Sequence, residues 1–185
     1  RFEKGKSGAR EMIVIAVMAA FSVVGRLVFA PIPAFKPVTA ITIISGVALG
    51  PEAGFIVGSM TAVVSNMFYG QGPWTPFQMF VWGFIGFLAG VIFRKSKKPN
   101  RIVLSIVGAF GGVLFSLLMD IWTTLSLDGE FLLSRYLVNV ASSLSFMAIY
   151  AVSNIVFLII LAHPFLEKLN RIKTKYGIFG LLSNE

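Results

Sequence analysis

Residues 94–101 read Arg94-Lys95-Ser96-Lys97-Lys98-Pro99-Asn100-Arg101, a dense cationic stretch between two long apolar runs. Working outward, two further basic clusters appear, at 1–10 and at 168–175. Thirteen of the 16 Lys and Arg fall in these three clusters, and only Arg26, Lys36 and Arg135 lie elsewhere. A bilayer has a hydrocarbon core about 30 Å thick, so a spanning helix needs about 20 mostly apolar residues. Short cytoplasmic loops carry the excess of Lys and Arg. If all three clusters are cytoplasmic, an even number of spans separates each from the next.

Composition agrees with a membrane protein. The chain is 56% hydrophobic and 13% charged, against about 25% charged in a soluble domain. The net charge of +8 does not point to nucleic acid, because it sits at the edges of apolar runs and forms no continuous stripe. The chain has no Cys, which excludes disulfides, thiol nucleophiles and thiolate-bound metals. Val28-Phe29-Ala30 weakly imitates a signal-peptide cleavage site, but Pro31 follows it and the preceding run is long enough to span.

The expected fold is an all-α integral membrane protein, a six-transmembrane-helix bundle with both termini cytoplasmic. Spans are expected at 11–29, 37–49, 52–69, 75–93, 102–125 and 136–161. Pro31 and Pro33 end the first, because Pro cannot continue a helix interior. Gly50-Pro51 separates the second from the third, and Gly70-Gln71-Gly72-Pro73 the third from the fourth. His163-Pro164 ends the sixth. The chain then forms one membrane domain over 1–185 with cytoplasmic tails at 1–10 and 165–185, and its outward loops are 30–36, 70–74 and 126–134. The second span is short; it tilts little, lies partly in the interface or is shielded by neighbours. A four-span alternative merges or loses spans two and three. Small residues four apart recur at Gly46/Gly50, Gly54/Gly58, Gly86/Gly90, Gly108/Gly112 and Ala16/Ala20, a spacing that lets helix backbones approach in lipid.

Polar groups in a membrane are costly and usually face an interior or a cavity. Here they gather toward the expected outer ends of the spans: Arg26, Asn66, Tyr69, Trp74, Gln78 and Asp120, with Thr123 and Thr124 beside it. Arg135, Asn139, Ser142, Phe146 and Ser153 follow one stripe on the sixth span, and Phe35 and Lys36 stand on the first outer loop. Together they describe an outward cup lined by aromatic and hydrogen-bonding groups, suited to a small molecule. Structural alternatives stand beside each. Trp74, Trp82 and Trp122 also suit an interfacial aromatic belt. Asp120 also suits a pairing with Arg26 or Arg135, Asn139 with Ser142 and Ser143 suits interhelical bonding, and Lys36 suits a solvated loop.

Catalytic signatures are missing. A single His and no Cys leave no HExxH or His-Cys cluster, and no GxSxG elbow occurs. Gly5-Lys6-Ser7 imitates the end of a phosphate-binding loop without the upstream Gly and strand.

Three passages carry a resemblance. Ala16-Val17-Met18-Ala19-Ala20 resembles an AxxxA coupling face. Gly46-Val47-Ala48-Leu49-Gly50-Pro51-Glu52-Ala53-Gly54 resembles a turn between spans two and three. Gly72-Pro73-Trp74-Thr75-Pro76-Phe77-Gln78, with Gly83 to Gly90 after it, resembles an outer loop and fourth span. With six spans and a basic C-terminal tail, they are similar to the substrate-binding S component of energy-coupling-factor vitamin transporters. The resemblance implies a non-enzymatic, high-affinity vitamin binder in a prokaryotic cell membrane. It has no intrinsic cofactor and works in the lipid with a T component and two cytoplasmic ATPases. It also implies partner coupling through Ala16 and Ala20. The second and third passages most resemble the cobalamin-specific branch, so the transported ligand implied is cobalamin, with α-ribazole, pantothenate or another vitamin as alternatives. A stand-alone secondary carrier and an intramembrane enzyme are the competing classes. The first usually shows inverted repeats, and the second needs more in-span acids than Asp120.

Overall fold

A computed structural model describes residues 6–96 and 99–179, with side chains from Gly8 onward. Expectations for 1–5, 97–98 and 180–185, which include parts of two basic clusters and the end of the C-terminal tail, lie outside the described residues. Six helices follow in order: α1 Lys6–Val28, α2 Val38–Leu49, α3 Pro51–Tyr69, α4 Trp74–Ile92, α5 Arg101–Leu125 and α6 Leu133–Tyr176.

α2 is the centre of the bundle. Its sequence, VTAITIISGVAL, is apolar on every side, and all but Val47 of its 12 residues are buried. A helix apolar all round needs neighbours all round. At about 18 Å it is too short to span alone, and it is shielded by its neighbours. Gly50, at φ 105°, ends it; the Gly50 N–H bonds back to the Gly46 carbonyl, and Pro51 opens α3 at the first helical position.

Glycines bring α2, α3 and α4 into backbone contact. A Cβ on Gly46 would stand 2.1 Å from the Gly86 carbonyl oxygen, and one on Gly54 2.6 Å from the same atom. Between α5 and α6, a Cβ on Gly112 would stand 2.8 Å from the Tyr150 carbonyl carbon. Gly58 and Gly90 likewise meet backbone, of Trp82 and Pro51, and Gly108 meets the Leu158 side chain, whereas Gly50 opposes no neighbour and serves the turn. Ala16 and Ala20 differ, because both are exposed on α1, whose other face buries Ile15, Met18, Ala19, Ser22 and Val23.

The sixth helix departs from expectation. It does not end at His163-Pro164 but continues through Pro164 to Tyr176. Pro removes one backbone hydrogen bond, and packing on both sides offsets that loss. Leu158 and Ala162 are buried before it, and Leu169 after it. The extension then folds against the start of α1 and the end of α2. Lys173 Nζ donates to the Ala48 carbonyl at 3.1 Å, the Phe179 N–H donates to Glu11 Oε1 at 2.7 Å, and Ile178 and Phe179 are buried. Arg10 lies over the Tyr176 ring, and Arg101 lines a cavity with His163 and Asn170. Described members of all three basic clusters therefore meet at one end of the bundle.

Among the described residues, α1, α4, α5 and α6 are long and apolar enough to cross a membrane by length and composition. α3 has 19 residues but buries Ser59, Thr61, Ser65 and Asn66.

Candidate functional site

Arg26 is the organising group of the polar interior. Its Nη1 donates to Ser65 Oγ and to Asn66 Oδ1 at 2.8 Å. Asn66 turns its amide the other way, donating to Gln78 Oε1 at 2.9 Å and Thr75 Oγ1 at 3.0 Å. The Tyr69 hydroxyl donates to the Arg26 carbonyl at 2.9 Å, and the Tyr69 ring lies under the guanidinium. One cation on α1 is thereby pinned to the last turns of α3 and the first turns of α4. Ser65, Asn66, Thr75 and Gln78 are all buried, and each finds a partner here, as buried polar groups require.

Lys36 occupies a second position beside it. The backbone is held by Ser153: Lys36 N donates to Ser153 Oγ at 2.9 Å, and that hydroxyl donates to the Lys36 carbonyl at 3.1 Å. Its Nζ lies 5.6 Å from the Trp82 ring centroid, 5.7 Å from that of Phe115 and 5.1 Å from that of Tyr150. Trp82 stands about two turns inside α4, so the end of the first loop enters the bundle. A solvated loop position for Lys36 is thus not what the structure shows; apolar neighbours at Phe29, Phe35 and Phe157, whose rings meet at 4.9 to 5.9 Å, draw the loop inward.

The remaining polar groups form a ladder between α5 and α6. Ser143 Oγ donates to Asp120 Oδ2 at 2.6 Å, Thr124 Oγ1 to the Asp120 carbonyl at 2.8 Å, and Asn139 Nδ2 to Thr124 Oγ1 at 3.0 Å. Asp120 therefore pairs with neither Arg26 nor Arg135. Arg135 instead forms a two-armed ion pair with Asp128 at 2.7 and 2.8 Å on the exposed loop.

The structure thus brings Arg26, Asn66, Tyr69 and Gln78 together, places Lys36 and Phe35 beside them, and puts Asp120 and Asn139 in the adjoining ladder. It does not bring in Ser142, which is exposed and donates to its own helix at Val138; the inward position is Ser143. Phe146 is also exposed. Trp74 lies at the rim, 40% exposed, with its ring against Gly72. An interfacial belt is one alternative the sequence offers for Trp82, yet the residue is 0% exposed, stacked on Phe115 at 5.2 Å. Its place eight residues past Trp74, on the Gln78 face, was the available signal. Phe115 and Tyr150 carried none. Among the described residues no group of His, Asp or Glu could hold a metal.

Lys36, on the loop outside the helices, has its ammonium pushed down to about 7, first by burial and then by the Arg26 charge. Facing groups are Arg26 on α1 and Tyr150 on α6, with Asp120 of α5 within electrostatic reach of Tyr150; Tyr69 of α3 adjoins Arg26. An unfolded lysine titrates near 10.4. From about pH 7 to about pH 10 the unfolded chain holds a proton that folded Lys36 has released, so stability rises with pH. It is lost again as pH falls toward 7. Thermal unfolding in detergent at pH 7, 8 and 9 should show a rising midpoint in wild type and a weaker rise in Lys36→Met.

A family model described as "ECF-type riboflavin transporter, S component" matches residues 6–171. A UPF0397 protein of Aliivibrio fischeri (strain MJ11) is 29% identical over 119 residues, covering 57% of this chain and 64% of that protein. UPF0397 proteins of Vibrio atlanticus (strain LGP32) and Aliivibrio salmonicida (strain LFI1238) are 32% and 31% identical, over 51% and 52% of this chain and 53% and 55% of their own lengths. The chain spans less than two thirds of the length of these relatives. No solved structure matches.

Proposed function

We propose that this chain, which belongs to the family of ECF-type riboflavin transporter S components, binds a vitamin-class small molecule at the Arg26–Lys36–Trp82 cluster. It passes the ligand inward with a T component and two cytoplasmic ATPases. It crosses the cell membrane of a prokaryote six times as one domain, with both termini and 94–101 in the cytoplasm. It is a transport subunit, and ATP hydrolysis belongs to its partners.

The supporting observation is the Arg26 network. With Lys36 beside it, five helices and the first loop converge hydrogen-bond donors and aromatic rings inside an apolar bundle, at the end opposite the gathered basic clusters. Such an arrangement costs desolvation energy unless something is bound there. The family's description makes riboflavin the first compound to test. Cobalamin, favoured by the two glycine-rich passages, is the second, followed by α-ribazole and pantothenate.

The test is expression of the tagged chain with its host's T component and ATPases, purification in mild detergent, and mass spectrometry of proteins and small molecules together. All three partners and one vitamin should co-purify. Single cysteines at Ser96 and Glu130, at opposite ends of α5, should label from opposite sides of intact cells. Uptake that persists without the ATPases would favour a stand-alone carrier.

A further inference from the structure

We infer that the ligand carries an acidic group, a carboxylate or a phosphate, seated between Arg26 and Lys36 against Trp82. This rests on the reading of that cluster as the binding site. One indole is shared by both cations: Arg26 Cζ lies 5.1 Å and Lys36 Nζ 5.6 Å from the Trp82 ring centroid. Among the described residues neither cation makes an ion pair. The nearby acid, Asp120, accepts from Ser143 on the α5–α6 ladder. Trp82 itself is fully buried, and its Nε1–H has no hydrogen-bond partner.

Arg26 spends one nitrogen on the neutral acceptors Ser65 and Asn66, so two cations without a counter-charge meet one indole N–H without an acceptor. Rings under a cation offset only part of the cost of burying an ion without a counter-charge. Two like charges around one ring add repulsion. An acidic group entering between them would cancel the repulsion, accept from both cations and satisfy the indole N–H. A neutral ligand would leave both charges unpaired.

The test uses the purified chain in detergent, read by tryptophan fluorescence and thermal unfolding. Probes are the pairs riboflavin and riboflavin 5′-phosphate, and panthenol and pantothenate, with inorganic phosphate and acetate as bare anions. The acidic member of at least one pair should bind about tenfold or more tightly than its neutral twin, the equivalent of one paired charge. Binding of phosphate alone or acetate alone would tell the two acid classes apart. Lys36→Arg should keep the preference and Lys36→Met should lose it. Without ligand, Lys36→Met should unfold at a higher temperature than wild type, because an unpaired charge has been removed; a merely structural lysine would give the opposite shift. Neutral twins binding equally well, or no response to any acidic probe, would overturn the inference. The transport reading fails separately, by absence of the T component and ATPases from the purified complex.

Discussion

Gly86→Ala should destabilise the bundle severely, while the chemically identical Gly111→Ala should be tolerated. A Cβ at Gly86 would stand 2.5 Å from the Gly54 carbonyl oxygen and 2.7 Å from its carbon. These are backbone atoms of α3, which cannot rotate away as a side chain can. α3 and α4 would have to separate, and α2, whose Gly46 approaches the Gly86 carbonyl, would lose its seat. Overpacking of this kind costs about 1–3 kcal/mol where side chains can yield and more where they cannot. A Cβ at Gly111 meets only side-chain atoms, at 3.3 to 3.4 Å, and Ala gains up to about 1 kcal/mol of helix propensity over Gly. Unfolding of the two variants in the same detergent measures the contrast. Equal midpoints would mean that the three-glycine contact does not hold α2, α3 and α4 together.

Helix number and order were legible because the signals are local. Gly50-Pro51 and Gly70 to Pro73 punctuate the apolar runs, and small residues at four-residue spacing mark the contacts. The end of α6 was not legible. Pro164 is a strong local stop, and only the distant partners of Leu169, Lys173 and Phe179 show why the helix continues. The site divided along the same line. Arg26, Asn66 and Gln78 stood out because polar groups are rare in such segments, and each has a partner in the structure. Ser142 was chosen over Ser143 because a one-residue shift rotates a helical position by about 100°, which short polar runs do not resolve. Phe115 and Tyr150 were indistinguishable from ordinary apolar residues, and Trp82 was marked only by sharing a helix face with Gln78. Their importance comes from Lys36, and nothing local to Lys36 says that its loop turns inward.

Ala16→Trp and Ala20→Trp should abolish ATP-driven uptake while leaving ligand retention by the purified chain intact. Both alanines are exposed on α1, between the exposed side chains of Met12, Ile13, Val17, Phe21 and Val24. The polar cluster contacts α1 through Arg26, further along the helix, and its hydrogen bonds to α1 run to that residue. A bulky ring there has open surface to occupy and disturbs no buried neighbour. What it fills is the space over two small exposed residues flanked by larger exposed ones, the kind of small-residue face against which a partner helix packs closely. Membership of the S component family makes that partner the T component in the proposed function. Loss of one well-packed helix contact should lower capture of the T component about tenfold or more, a cost near 1.4 kcal/mol. The measurement pairs recovery of the T component from cells with the amount of small molecule retained by the isolated chain. Uptake and retention falling together would show that the two alanines pack the bundle. Unchanged capture and uptake in both variants would move the partner to another face, with the exposed α3–α4 surface around Phe55, Phe84 and Phe87 the next to substitute.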